Sequence, residues 1–397
     1  MKKYSLIIPT RNGGRYLINT VKSALANKYK NCEIIVSFNC STDNSFKKIK
    51  KLKDKRLRIF NTPNFYSMSK HYEWILNKAQ GDWISIIGDD DAVHKNFFET
   101  IDKYLIKYKN HKFEAISVDK ANYYWNGVSN IYGKTVVRYL DLNHSKICNS
   151  NINLLKVIFG FMSYTKLPGL YVSGVINRKL INTIKRKEKN KFFHEINPDV
   201  YSALAISSFV KKYLRIEKPL FWVGTSKKSV AYKLILKKKK NFLIKYNNFI
   251  KKSEKDKIFI SSKINKYFWH SRLPSAFIFS ALFNIPNNKY KNSKIYNFMF
   301  LCTLGSDILN KSYLKNKKER TLIKQLYLDT VKKSKIPYHL IYFFTILLFS
   351  LKKLHKRITN FFAKVKYFLY KKIMPERYVY SIDRRKFKNI YIASQLN

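Results

Sequence analysis

The chain has 397 residues, 46% of them hydrophobic and 16% aromatic, which is enough for a sizeable core and excludes global disorder. Its formal net charge is +55, from 79 Lys and Arg against 24 Asp and Glu, so a surface this positive seeks anionic phosphate: a membrane leaflet, nucleic acid or a phosphorylated substrate. Four scattered cysteines (Cys32, Cys40, Cys148, Cys302) argue against a zinc site and a disulfide framework, and agree with a reducing cytosol.

Tyr4 to Pro9 reads as a buried parallel strand. Its apolar run (Leu6, Ile7, Ile8) is too short for a signal-peptide core, so the N-terminal domain is expected to stay in the cytoplasm. Thr10 to Gly14 is a turn, and Leu17, Val21, Ala24 and Leu25 then mark one face of a helix. Cys32 to Phe38 is the next strand, Ser41-Thr42-Asp43 a helix start with Phe46, Ile49 and Leu52 on its buried side, and Leu57 to Phe60 a short strand. A helix carrying Tyr72, Ile75, Leu76 and Ala79 ends at Gly81. The following strand, Trp83 to Ile87, runs into Gly88-Asp89-Asp90-Asp91. This alternation predicts an α/β domain with a mostly parallel sheet, whose ligands sit beyond the C-terminal strand ends. Thr10, Phe38-Asn39 and Asp89 to Asp91 all fall there.

Three adjacent carboxylates repel one another, and at the end of a buried strand they suit a hard divalent ion, Mg²⁺ or Mn²⁺, that also carries a phosphate. The alternative is an acidic helix N-terminus, for which one Asp suffices. Further β-like runs lie between Phe113 and Val137, and Lys185 to Lys191 is a charged loop. Pro198 can open a helix from Asp199 to Val210. Near Val230 the composition turns Lys-rich, which divides the chain into 1–230 and a basic, mainly helical 231–397. In the tail, Tyr338 to Leu351 is apolar but short of a membrane crossing. Leu351, Leu354, Ile358, Phe361, Phe362, Val365, Phe368 and Leu369 then recur at helical spacing opposite many lysines. Such a helix suits an anionic membrane surface, or else packs on the catalytic domain or a second copy.

The segments Tyr4-Ser5-Leu6-Ile7-Ile8-Pro9-Thr10-Arg11-Asn12, Glu33 to Ser37, Asn39 to Ser45 and Ala79 to Trp83 leading into Gly88-Asp89-Asp90-Asp91 resemble, in order, the family 2 glycosyltransferases over roughly residues 3 to 105. The resemblance implies the GT-A fold (Rossmann-like), a nucleotide-sugar donor, a divalent metal and inversion at the anomeric carbon. By the same likeness Pro9 and Thr10 touch the base or ribose, and Asp89 reaches the ribose. Asp90 binds Mn²⁺ or Mg²⁺ with Asp91 beside it. Asn39 stands where the family usually has an aspartate that reads uracil, its amide oxygen still able to accept from the ring nitrogen. Asp199 fits the catalytic base, with Glu195 as second candidate. Arg11 and Lys70 offset diphosphate charge, His194 is a satisfied or substrate-contacting group, and Gly169 to Gly174 either shapes the acceptor pocket or is a plain turn.

The expected function is sugar transfer from a nucleotide sugar, UDP-linked for preference, to a glycan or lipid-linked acceptor of the cell surface (capsule, O-antigen or lipooligosaccharide), at the inner face of the membrane. Two other classes compete. A sugar-phosphate nucleotidyltransferase wants a Gly-rich triphosphate loop, of which Thr10 to Gly14 is a poor version. A basic nucleic-acid-binding protein has no use for Asp89 to Asp91, and no such motif stands out, so no nucleic acid is expected.

Overall fold

The computed structural model describes residues 2–128, 137–141, 144–187, 190–229, 232, 248, 250–285, 290–310, 312–314, 316–373, 378–381 and 387–395. The strands and helices β1 (Tyr4–Thr10), α1 (Gly14–Leu25), β2 (Cys32–Phe38), α2 (Ser45–Lys50), β3 (Leu57–Asn61), α3 (Met68–Leu76) and β4 (Trp83–Ile86) alternate as the sequence predicts. There follow β5 (Ala92–Val93), α4 (Phe97–Lys107), β6 (Ala115–Tyr124), β7 (Val137–Leu140), β8 (Ser145–Asn149), α5 (Ser150–Ile158), β9 (Gly174–Asn177), α6 (Arg178–Arg186), α7 (Pro198–Phe209) and β10 (Lys212–Thr225). The boundary expected near residue 230 opens a stretch that lies mostly outside the described residues, as do residues 188–189 of the charged loop and residues 129–136 of the β-rich run.

β3-β2-β1-β4 form the parallel centre of the sheet. Beyond β4 the directions are mixed: β9 is antiparallel to β4 and β6 to β9, while β10 runs parallel to β6 and antiparallel to β5 and β8. Every residue of β1 and β2 is buried, because helices cover both faces and leave no side for water. Alternation sends Leu6, Ile8, Ile34 and Val36 to the core under α1 and α4, and Ile7, Ile35, Ile84 and Ile86 to the core under α3 and α7. The architecture is the α/β type with a parallel group of strands that the sequence predicts.

The C-terminal region comprises α8 (Lys266–His270), α9 (Pro274–Phe283), α10 (Lys294–Leu309), α11 (Lys317–Lys333) and a single long helix α12 (Tyr338–Ile373), then β11 (Tyr378–Ser381) and α13 (Ile390–Ser394). Phe268, Trp269, Phe279, Leu282, Phe300 and Leu304 are buried in the same apolar cluster as Ile7, Ile84 and Tyr201, so the helices extend the core on the α3/α7 side of the sheet. No helix among the described residues is long and apolar enough to cross a membrane.

Glu195 is one seam of this packing, which corrects its reading as a candidate base. Its carboxylate is buried against α9, where Oε2 accepts from Ser280 Oγ at 2.8 Å and from Asn284 Nδ2 at 2.6 Å, while Oε1 has no partner. Burial pushes its pKa up to about 8, and the hydrogen bonds from Ser280 and Asn284 only partly oppose this. Between the ordinary carboxylate pKa of about 4.3 and that value, the folded state holds a proton that the unfolded state has lost. Stability therefore falls as pH rises through this window. Glu195→Gln is expected to stabilise the protein relative to the wild type in thermal melts at pH 7.5 and to change little at pH 4. The difference should grow by up to about 1.4 kcal/mol per pH unit between.

Candidate active site

β4 leaves the sheet after a last ladder bond from Ile87 N to Ile7 O, 2.9 Å, and the chain turns through Gly88 into the three aspartates. Their backbone is claimed from both sides. Thr20 Oγ1 on α1 donates to Asp89 O at 3.0 Å and to Asp91 O at 2.7 Å, and Trp125 Nε1, just past β6, donates to Asp90 O at 2.9 Å. β5 then pairs with β10 at Phe221 and Trp222. Gly224 lies so close beneath that a Cβ there would stand 1.6 Å from Asp90 O.

Each carboxylate meets a different environment. Asp89 Oδ2 accepts from Thr10 Oγ1 at 2.5 Å, at the end of the neighbouring strand, and from the backbone of Arg11. Asp90 Oδ2 accepts from the hydroxyls of Ser226 and Ser229, each at 2.6 Å. Asp91 is turned inward: Oδ2 takes Gly88 N at 2.7 Å and Oδ1 takes Gly224 N at 2.8 Å, with Tyr171 OH at 3.5 Å. A backbone N–H on each oxygen makes Asp91 a strut of the loop. Burial and then the charge of Asp90 push the pKa of Asp89 up to about 6 and of Asp91 up to about 8, although Lys228 draws Asp89 back. The loop is thus short of positive charge. Hard oxygen donors in a buried, negatively overloaded loop fit a divalent cation that takes one or two carboxylates and completes its shell with substrate phosphate. Among the described residues no group of three or more His, Cys, Asp or Glu forms an all-protein metal cage.

The turns around this loop are knotted together. Asn12 N donates to Ser41 Oγ at 3.0 Å, Thr42 N to Asn12 Oδ1 at 2.7 Å, and Gly14 N to Asp43 Oδ2 at 2.9 Å. Asp43 thus satisfies an orphan donor at the start of α1 through Oδ2, and through Oδ1 it accepts at 3.2 Å from the N–H of Ser45, the first residue of α2. Pro9 is buried in β1, and Thr10 O accepts from Asn39 N at 2.9 Å. The Asn39 amide mimics a strand pairing: Nδ2 donates to Tyr66 O and Oδ1 accepts from Tyr66 N, both at 2.9 Å, with Thr62 Oγ1 also donating to Oδ1 at 3.3 Å. The amide oxygen is therefore taken and does not await a base nitrogen; one amide N–H remains. Arg11 stacks on Phe65 at 3.8 Å. Lys70 is committed elsewhere, to Asp256 at 3.2 Å.

Asp199, in the first turn of α7, accepts through Oδ2 from Tyr164 OH at 2.7 Å. The charges of Asp199 and Asp91 both act on Tyr72, Tyr171 and Lys120, so these five groups share one electrostatic neighbourhood. Burial lowers the pKa of Lys120 to about 8. The stretch Gly169 to Gly174 leads into β9 and contributes Tyr171, and His194 Nε2 meets Lys191 O at 2.9 Å. Trp125, Thr20, Ser226 and Ser229 went unremarked in the sequence, because their partners lie 35 to 139 residues away.

Parallel strands ending in a carboxylate loop place the candidate site at the C-terminal edge of an α/β sheet, where ligands of such sheets bind. Residues 5–159 match the family Glycosyl transferase family 2. The chain is 32% identical over 99 residues to glycosyltransferase GlyG of Streptococcus pneumoniae, an alignment covering 24% of this chain and 33% of that protein. It is 31% identical over 121 residues to UDP-Glc:alpha-D-GlcNAc-diphosphoundecaprenol beta-1,3-glucosyltransferase WfaP of Escherichia coli, covering 29% of this chain and 48% of that one. The chain thus spans less than half the length of these relatives. The crystal structure of S. aureus TarS 1-349 in complex with UDP-GlcNAc aligns with a TM-score of 0.43 at 14% identity, over 90% of this chain and 92% of that one.

Two substitutions test the hold on the Asp90 backbone. Gly224→Ala forces it away and should destabilise by about 1–3 kcal/mol in urea unfolding. Trp125→Phe, which removes the N–H and part of a buried indole, should cost about 2–4 kcal/mol.

Proposed function

We propose that the protein is an inverting glycosyltransferase that moves a sugar from a nucleotide sugar, UDP-linked for preference, to a hydroxyl of a glycan or lipid-linked acceptor. The observation that carries this reading is Asp90, oriented by Ser226 and Ser229 at the end of the parallel strands, in one electrostatic neighbourhood with Asp199. The strand-end position supports a nucleotide, as in open α/β sheets generally. Asn39 offers its remaining N–H to a base carbonyl, which suits uracil, and Thr10 and Asp89 lie where a ribose would sit.

The chemistry follows from the residues. Asp199, held by Tyr164, takes the proton from the acceptor hydroxyl; that oxygen bonds to the anomeric carbon as the bond to the nucleoside diphosphate breaks on the opposite face. The configuration inverts in one displacement. Asp90, with Asp89 beside it, would hold a divalent ion, Mn²⁺ or Mg²⁺, which supplies charge neutralisation to the departing diphosphate. Asp91 fixes the loop so that Asp90 does not reorganise during the step.

Lysine excess and the absence of a crossing helix among the described residues support a peripheral position on the cytoplasmic face of a membrane. The polyprenyl-diphosphate acceptor in the name of the E. coli relative supports a lipid-linked acceptor, and with it a place in cell-surface polysaccharide synthesis.

Titration calorimetry against a panel of nucleotide sugars with Mn²⁺ tests the donor. Asp90→Ala should lose metal-dependent binding. Asp199→Asn should bind the donor with near wild-type affinity and lose transfer by roughly 10²–10⁴-fold. The product should be nucleoside diphosphate; release of pyrophosphate would overturn the reading.

A further inference from the structure

The helix α12 presents two separate faces. Ile341, Thr345 and Leu348 are buried towards α10, and Lys352 continues that stripe to an ion pair with Asp307 at 3.2 Å. His355 Nε2 meets Phe161 O at 3.0 Å. Among the described residues, no hydrogen bond or ion pair ties α12 to the body beyond that point, and the last 18 residues project for ~27 Å.

A second stripe starts at Leu347 and continues into the projecting half, about a third of a turn from the first. Leu347, Leu351, Leu354, Ile358, Phe361 and Val365 recur at alternating four- and three-residue steps, and each is at least 40% exposed. Phe362 and Leu369 widen the stripe. Exposed apolar surface of this extent on a soluble face marks an interaction site. The rest of the free circumference is basic, with Lys353, Lys356, Arg357 and Lys364. Across its 36 residues α12 carries eight Lys and Arg and no Asp or Glu.

From this we infer that the exposed face of α12 lies in the interface of an anionic lipid leaflet, its Phe and Leu side chains below the headgroups and its lysines among the lipid phosphates. The inference rests on the membrane placement proposed above and deepens it, naming the element and the lipid chemistry. Charge decides between lipid and a second copy of the chain. The heptad-like steps would also suit a helix pair, but two copies would align rows of Lys and Arg with no carboxylate to offset them. The stripe is also broader than a two-residue-per-heptad seam, as a helix lying flat on a bilayer requires. An anionic leaflet supplies the charge that the helix lacks.

The test is co-sedimentation of the full chain with phosphatidylcholine vesicles, with and without phosphatidylglycerol. Binding should require phosphatidylglycerol and weaken in high salt. Ile358→Glu/Phe361→Glu/Val365→Glu should lower the bound fraction by roughly tenfold or more, and Lys356→Glu/Arg357→Glu/Lys364→Glu should do the same. Both sets lie on the projecting, exposed half, so donor binding should be unchanged and certifies the fold. Vesicle binding by the first variant equal to wild type would overturn the inference. So would a lipid-free dimer that this variant converts to monomer. Asp90→Ala should bind vesicles normally, so loss of the catalytic reading and loss of this one are told apart.

Discussion

Everything at the acidic loop depends on how three consecutive carboxylates are kept buried in one turn, with Lys228 acting on Asp89 and Lys120 near Asp91. The solution is to give each a different set of donors. Asp91 takes two backbone N–H groups, Asp90 two serine hydroxyls, and Asp89 a threonine hydroxyl and a backbone N–H. The carbonyls of the same three residues are tied by Thr20 and Trp125. Donors come from the ends of β1, β6 and β10, from the middle of α1 and from the loop after β10. A loop determined from so many directions has little freedom to relax, so the repulsion stays in place and is relieved by a positive ligand. That is preorganisation in the electrostatic sense.

The central strands were legible because burial on both faces produces unbroken apolar runs, and β2 begins and ends where Cys32 and Phe38 suggested. The site was legible at its strand ends and illegible in its partners. Asn39 looks, from its position, like a base reader, yet the pair of hydrogen bonds to Tyr66 exists only because β3 returns the chain beside β2. Glu195 and Asp199 are four residues apart, and nothing local tells which one shares the neighbourhood of the acidic loop. The docking of α9 decides it, since Ser280 and Asn284 claim Glu195 and leave Asp199 to Tyr164. Ser41-Thr42-Asp43 has the composition of a helix start and serves two helices at once, Asp43 Oδ1 accepting from Ser45 N of α2 and Oδ2 from Gly14 N of α1, a second role that only the fold reveals.

The same dependence on distant packing extends to the end of the chain. Phe387, Ile390 and Ala393 are buried with Tyr16, Tyr123, Trp125 and Trp222, behind the acidic loop. Tyr123 OH donates to Phe387 O at 3.0 Å, and Trp125 meets Tyr16 edge-on at 4.8 Å. The indole that holds Asp90 is thus wedged between α1 and a segment more than 260 residues further on. A cavity of about 360 Å³ opens beside this wedge, lined by Arg15, Asn19, Trp125 and Lys388. The geometry of the aspartates is therefore a property of the whole chain and not of the family-matched segment alone.

Charge distribution gives these parts a common logic. A molecule with net charge +55 attracts diphosphates and anionic lipid over its whole surface, so general attraction cannot by itself choose where a donor binds. At the acidic loop the local sign is reversed. A bare diphosphate is repelled there, while a diphosphate already paired with a divalent cation is attracted, because the cation meets carboxylates held in place beforehand. On the function proposed above, the negative island would convert a nonspecific affinity for phosphate into selection for the metal-bound form. The lysines of α12 meet no such island, and the sign they present is the one that an anionic leaflet complements.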